Sequence, residues 1–155
     1  MPSLSPNQAR LEKKQIRASK IIQSFELLSK EFDYIVVEGI GGALVPFNTR
    51  RLVIDIASDL DLPVLIVAQN KLGAINHTVL TIEAVQKRGM RIVGVIFNGQ
   101  CEKDDEIILK DNPEIVRLLT NTKILGSLSW LEDEKLLYEA FIPIGDRIYN
   151  NLERK

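Results

Sequence analysis

Three short runs in this chain are apolar without alternation, at residues 34–37, 64–68 and 92–97. They are rich in valine and isoleucine, which predicts parallel strands covered by helices on both faces. A fourth, weaker candidate is Ile124-Leu125 ahead of Gly126. Between the runs, apolar residues recur at helical spacing. Residues 16–31 place Ile21, Phe25 and Leu28 on one stripe with Ile22 beside them. Residues 52–60 read as a short helix stopped by Leu62-Pro63. Residues 76–87 carry Val79, Leu80, Ile82 and Val85, and Lys87-Arg88-Gly89 supplies a basic last turn and a glycine stop. Residues 113–119 predict a short helix with proline in its first turn. Residues 136–152 are helical in pattern but must bend or break near Pro143 and Gly145. Strands alternating with helices predict an α/β fold with a parallel sheet. About the first 15 residues are polar and bring no strand before the first helix, so the rhythm opens partway through.

A length of 155 residues, with 45% hydrophobic and 26% charged content, predicts one soluble domain over residues 1–155 with a substantial core. The net charge is −1 and no basic face is concentrated, which argues against a nucleic-acid partner. The longest apolar run, 92–97, is far short of the ~20 residues that cross a bilayer. Met1-Pro2-Ser3-Leu4-Ser5-Pro6 has neither the basic nor the apolar region of a secretory signal. Cys101 is the only cysteine, so no disulfide forms within the chain, which suits a reducing cytoplasm. Cys101 and His77 alone also argue against a zinc centre.

The first apolar run ends in an acid and a glycine turn, Tyr34-Ile35-Val36-Val37-Glu38-Gly39-Ile40-Gly41-Gly42. Carboxyl ends of parallel strands form the ligand crevice of α/β sheets. An ionised Glu38 there can hold a hydrated Mg²⁺ that bridges phosphates, and the glycines let backbone N–H groups approach an anion. The plainer reading is a capping acid on a turn. No G-x-x-x-x-G-K-[ST] occurs, so the usual phosphate-cradling partner of such an acid is not among these residues.

Leu72-Gly73-Ala74-Ile75-Asn76-His77-Thr78 follows the second run and opens a helix, whose free N–H groups attract carboxylate or phosphate. Asn76 is a candidate N-cap, and His77 reads as a surface or packing residue. Asn98-Gly99 ends the third run, where the amide matches the N6 and N7 edge of adenine or simply makes a turn. At Ser129-Trp130-Leu131, past the weak fourth strand, the indole either stacks on a purine or covers the edge of the core. Glu102-Lys103-Asp104-Asp105-Glu106 reads as a solvated turn and helix start.

Taken in order, Val37-Glu38-Gly39-Ile40-Gly41-Gly42, Leu72-Gly73-Ala74-Ile75-Asn76-His77-Thr78-Val79-Leu80-Thr81 and Gly94-Val95-Ile96-Phe97-Asn98 resemble ATP-dependent dethiobiotin synthetases. Ser5-Pro6-Asn7-Gln8-Ala9 is similar to the family's Ser-Pro-His-x-Ala, with Asn7 in place of histidine. Gly126-Ser127-Leu128-Ser129-Trp130-Leu131 is similar to its Gly-x-Ile-Pro-x-Leu, with Leu128 for isoleucine and Ser129 for proline.

The resemblance implies a P-loop NTPase-like parallel sheet with helices on both faces and a homodimer. The implied enzyme uses ATP and Mg²⁺ to carboxylate 7,8-diaminononanoate with CO₂ and close a ureido ring. By position, Glu38 would hold Mg²⁺, with Gly39, Ile40 and Gly41 along the phosphates. Asn98, Gly99, Ser129, Trp130 and Leu131 would surround the adenine, and Gly73, Ala74, Ile75 and Asn76 would take the substrate carboxylate across the dimer interface. The family's first strand, phosphate loop and catalytic lysines have no counterpart here, so no catalytic residue is assigned. Groups of that kind are worth about 3–4 kcal/mol of transition-state stabilisation each. The expectation is therefore a carboxyl-terminal portion of such an enzyme, inactive alone, with a separate amino-terminal half as a candidate partner. A degenerate relative serving as a nucleotide-binding or dimerisation module is the alternative. A different Mg²⁺-dependent ligase fits less well, because Asn76-His77 belongs to the dethiobiotin pattern.

Overall fold

The computed structural model describes residues 17–99 and 105–153, so the Ser5–Ala9 motif and Cys101 lie outside it. The described residues form two compact units divided between Leu62 and Pro63. Among them, no helix is long and apolar enough to cross a membrane.

The first unit contains α1 (Ala18–Leu28) and α2 (Val53–Asp59). Along α1 the predicted stripe is half-buried at Ile21, Ile22 and Phe25, while Leu28 is exposed. Residues 34–37 do not form the predicted strand: they carry no ladder among the described residues, and Val36 is 93% exposed. β-Branched composition favours a pleated surface only where a neighbouring strand supplies hydrogen bonds and packing. The chain beyond the glycines folds onto the start of α2. There Val53 N–H donates to the Val45 carbonyl (2.9 Å) and Ile54 N–H to that of Ala43 (3.0 Å). The Asp55 carboxylate accepts from Leu52 N–H (2.7 Å), and Arg51 pairs with Asp59 (2.6 Å).

The second unit runs β1 (Val64–Gln69), α3 (Ala74–Gln86), β2 (Ile92–Asn98), α4 (Glu106–Thr120), β3 (Ile124–Leu128) and α5 (Glu134–Leu152). Its three strands are parallel in the order β1-β2-β3, which is the predicted α/β class. The weak fourth candidate is a full strand that extends to Leu128. Val95 and Phe97 of β2 join Ile66, Ala68, Ala74, Ile82 and Val116 in one apolar core, and Ile96 joins Val93, Leu125 and Ile144 in another. The middle strand is thus covered on both faces, as its unbroken apolar run predicts. β1 departs from that expectation, since Val67 is 64% exposed. On that side α5 lies over β2 and β3. Close packing there needs Gly126, where a Cβ would meet the Ile144 side chain at 2.7 Å. Arg147 of α5 donates to the Leu125 carbonyl (2.7 Å), and Arg91 and Lys123 bond the helix's last turn at Asn151.

Two helices differ from their sequence patterns at prolines. α4 starts at Glu106 rather than residue 113, because the Asp105 side chain accepts from Ile107 N–H (2.9 Å) and Ile108 N–H (3.4 Å). Pro113 consequently lies inside the helix and cannot donate to the Leu109 carbonyl. Asn70, just past β1 and 2% exposed, fills that gap: its Nδ2 donates to the Leu109 carbonyl at 2.9 Å. Its Oδ1 then accepts from Asn112 Nδ2 (2.8 Å), which also donates to the Lys71 carbonyl (3.0 Å). α5 runs unbroken through Pro143. The carbonyl that this proline leaves without an N–H belongs to exposed Glu139, where water can serve it. Near the end of α4, Arg117 donates to Glu114 (3.0 and 2.7 Å), which holds the Glu114 carboxyl below its usual range.

Asn70→Ala strands the Leu109 carbonyl and should lower stability in urea unfolding by about 2 kcal/mol. Pro113→Ala restores a helical donor and should recover about 1 kcal/mol of that loss in the double variant. Equal losses in the single and double variants would contradict the link between the proline and the amide.

Candidate functional site

In the first unit, Glu38 is exposed and sits on irregular backbone rather than at a paired strand end. The glycine turn behind it is a conformational requirement: Gly41 and Gly42 have φ of +77° and +113°, where other residues are strained. Gly39 is constrained by space, because a Cβ there would meet Val53 Cγ1 at 2.7 Å. Glu38, Gly39, Ile40 and Gly41 therefore form a short exposed segment running into a turn pinned on α2.

In the second unit the other predicted residues gather at the carboxyl ends of three adjacent strands. Asn98 closes β2, half-buried, and its carbonyl accepts from Asn70 N–H at 2.8 Å. Gly99 N–H donates to the Leu128 carbonyl at 2.8 Å, which carries β2–β3 pairing past the last residue of β2. Ser129, Trp130 and Leu131 follow directly from β3, with Trp130 38% exposed. Asn98-Gly99 and Ser129–Leu131 are thus neighbours on one rim.

The end of β1 adds the predicted anion-binding turn. Asn76 is not its cap. The helix begins one turn earlier, with Gly73 as N-cap at φ 87°, ψ −6° and no side-chain cap. Those angles match the third residue of a type II turn, and Ala74 N–H closes it onto the Lys71 carbonyl at 3.0 Å. Glycine wins the cap because that position needs positive φ, whereas Asn76 already lies within the helix and is exposed. His77 N–H makes the first helical bond, to the Gly73 carbonyl at 3.3 Å, so the N–H groups of Ile75 and Asn76 before it have no acceptor within the helix and suit an anion. His77 is exposed, as predicted for a surface residue.

Among the described residues, no three His, Cys, Asp or Glu side chains gather into a metal-holding group. A single exposed carboxylate such as Glu38 still suits Mg²⁺, which commonly takes one or two carboxylates and completes its shell with phosphate and water. The sequence pattern missed Asn70 and Asn112, at 2% and 4% exposure the most deeply buried polar pair beside the rim. Their signals were present: a polar residue straight after an apolar strand, and an Asn-Pro step inside a helical stretch.

A family model described as AAA domain matches residues 1–135. The chain is 36% identical over 138 residues to the ATP-dependent dethiobiotin synthetase BioD of Thermodesulfovibrio yellowstonii, covering 84% of this chain and 58% of that protein. It is 38% identical over 125 residues to the protein of that name from Anaeromyxobacter dehalogenans, covering 81% of this chain and 56% of the relative. With the Bacillus cereus protein of that name the identity is 38% over 119 residues, or 77% and 49% of the two chains. The chain therefore spans about half the length of the curated relatives it matches.

Gly73→Ala forces a Cβ into left-handed backbone and should cost about 1–2 kcal/mol in chemical unfolding. Unchanged stability would show that the turn tolerates another conformation.

Proposed function

The chain belongs to the AAA-domain family that includes the ATP-dependent dethiobiotin synthetases, and from that premise we propose that it forms the base-binding and substrate-carboxylate part of such an enzyme. One observation carries this reading. Asn98-Gly99, Ser129–Leu131 and an uncapped helix start lie on the carboxyl rim of three adjacent parallel strands. Open α/β sheets bind ligands at that rim.

Each group has a role that its chemistry supports. The Asn98 amide offers a donor and an acceptor to the adenine edge, and the Trp130 indole offers a face for stacking, worth about 1–3 kcal/mol per base. The segment Gly73, Ala74, Ile75 and Asn76 takes the carboxylate of 7,8-diaminononanoate through the N–H groups that the Ala74–Lys71 bond leaves over, those of Ile75 and Asn76 first, next to the positive end of the α3 dipole. Gly39, Ile40 and Gly41 line the phosphates, and Glu38 is the Mg²⁺ ligand. Mg²⁺, when bound, would neutralise charge developing on the transferred phosphoryl group.

In the reaction assigned to the complete enzyme, one amine of the substrate takes up CO₂ as a carbamate. A carbamate oxygen attacks the γ-phosphorus and ADP leaves. The second amine then attacks the carbamoyl carbon, loses its proton and expels phosphate as the ring closes. No residue of this chain is assigned a catalytic role, since none forms a G-x-x-x-x-G-K-[ST] loop. That contribution is assigned to an amino-terminal portion carrying the phosphate loop, and the carboxylate turn to a homodimer interface.

Calorimetry with Mg·ATP on the purified chain, alone and co-expressed with an amino-terminal half carrying the phosphate loop, tests this reading. Binding should strengthen at least tenfold in the reconstituted sample, and Glu38→Gln should remove most of the Mg²⁺-dependent part, a loss of about 2 kcal/mol. Full Mg²⁺-dependent binding by Glu38→Gln would remove the metal role. Equal binding by the chain alone and the reconstituted sample would remove the need for a second half.

A further inference from the structure

We propose that Asn70 and Asn112 are positioning residues that lock the Lys71–Asn76 turn and the Asn98-Gly99 corner into one rigid unit, so that the carboxylate and base ends of the site keep a fixed separation. This rests on the function proposed above for those two segments.

The geometry leads there in steps. Pro113 leaves the Leu109 carbonyl without its helical donor, and a carbonyl can only accept. Asn70 must therefore turn its Nδ2 to Leu109, which points its Oδ1 at Asn112. Asn112 spends both of its N–H groups, one on Asn70 Oδ1 and one on the Lys71 carbonyl. That carbonyl is also the acceptor that closes the turn through Ala74 N–H, so Asn112 grips the first residue of the turn that launches α3. On its main-chain side Asn70 donates to the Asn98 carbonyl, and Gly99 carries the connection to Leu128. The two buried side-chain amides thus tie the turn after β1 to α4, and the main-chain bonds of Asn70 and Gly99 carry that connection to the corner after β2 and the end of β3.

This arrangement does more than fill space. A leucine of similar volume would pack equally well but would hold neither carbonyl. The amides are satisfied only when both segments sit where they are, and displacing either segment leaves a buried polar group unpaired. Both residues are buried and their amides are spent on each other and on backbone carbonyls, so the pair acts through the segments it holds.

Amide hydrogen exchange by NMR on the full chain, without ligand, provides the test. Asn112→Ala should speed exchange about tenfold at Ala74, Asn70 and Gly99 and leave Val95 in the sheet core unchanged. Asn112→Ser, which keeps one short donor, should give a smaller change at the same positions and remains measurable if the alanine variant fails to fold. A uniform rise at all four amides, or none, would overturn the proposal. In the reconstituted sample Mg·ATP affinity should fall about tenfold with Asn112→Ala. Raised local exchange with unchanged affinity would also overturn the positioning role. If the unsubstituted reconstituted sample binds no Mg·ATP while the local exchange pattern appears, the locking stands and the proposed function fails.

Discussion

A proline inside a helix removes one hydrogen bond, and in this fold the repair of that loss sets the layout of the sheet's carboxyl rim. Pro113 leaves the Leu109 carbonyl open, and the Asn70 amide closes it from the end of β1. Helix, turn and strand end are then related by bonds that fail together. The neighbouring apolar core of Ile66, Ala68, Ile82, Val95, Phe97 and Val116 supplies most of the driving force but little direction. The buried amides supply the direction, because an unpaired amide in that position is costly whereas a shifted leucine is not.

The functional consequence follows from the sheet being parallel. All three strands deliver their carboxyl ends to one side, so a loop after each becomes part of a common rim. The three loops differ in chemistry: an uncapped helix start, a side-chain amide with a glycine, and an indole beside a serine. Anion, purine edge and purine face are the partners those groups suit. The exposed Glu38 and its glycine turn belong to the other unit, where the pinning of residues 43–45 on α2 fixes the turn.

Much of this was legible in the residues. Unbroken Val/Ile runs marked β1 and β2, and the run in β2 was read correctly as doubly covered because its burial does not alternate. The same signal misleads at residues 34–37, which are as β-branched as β2 yet join no ladder among the described residues, because pairing is a property of neighbours rather than of the run itself. Asn76 fits a cap by residue type, but a type II turn needs positive φ and Gly73 satisfies it three residues earlier. α4 began far ahead of its proline because the Asp105 carboxylate outweighed the proline's preference for a first turn. The amide pair depends on contact between residues some forty positions apart, as the spacing from Asn70 to Asn112 shows, and periodicity carries no information at that range.

Trp130 is the one tryptophan of the chain, so this chain's tryptophan emission, excited beyond the tyrosine band, reports on the rim. Titration of the reconstituted sample with Mg·ATP, against Mg²⁺ with inorganic tripolyphosphate at equal concentration, tests directly whether the rim holds a base. Saturable quenching or a spectral shift with ATP and none with tripolyphosphate is the predicted result. An emission spectrum that ATP leaves unchanged, or that both ligands alter equally, would contradict it.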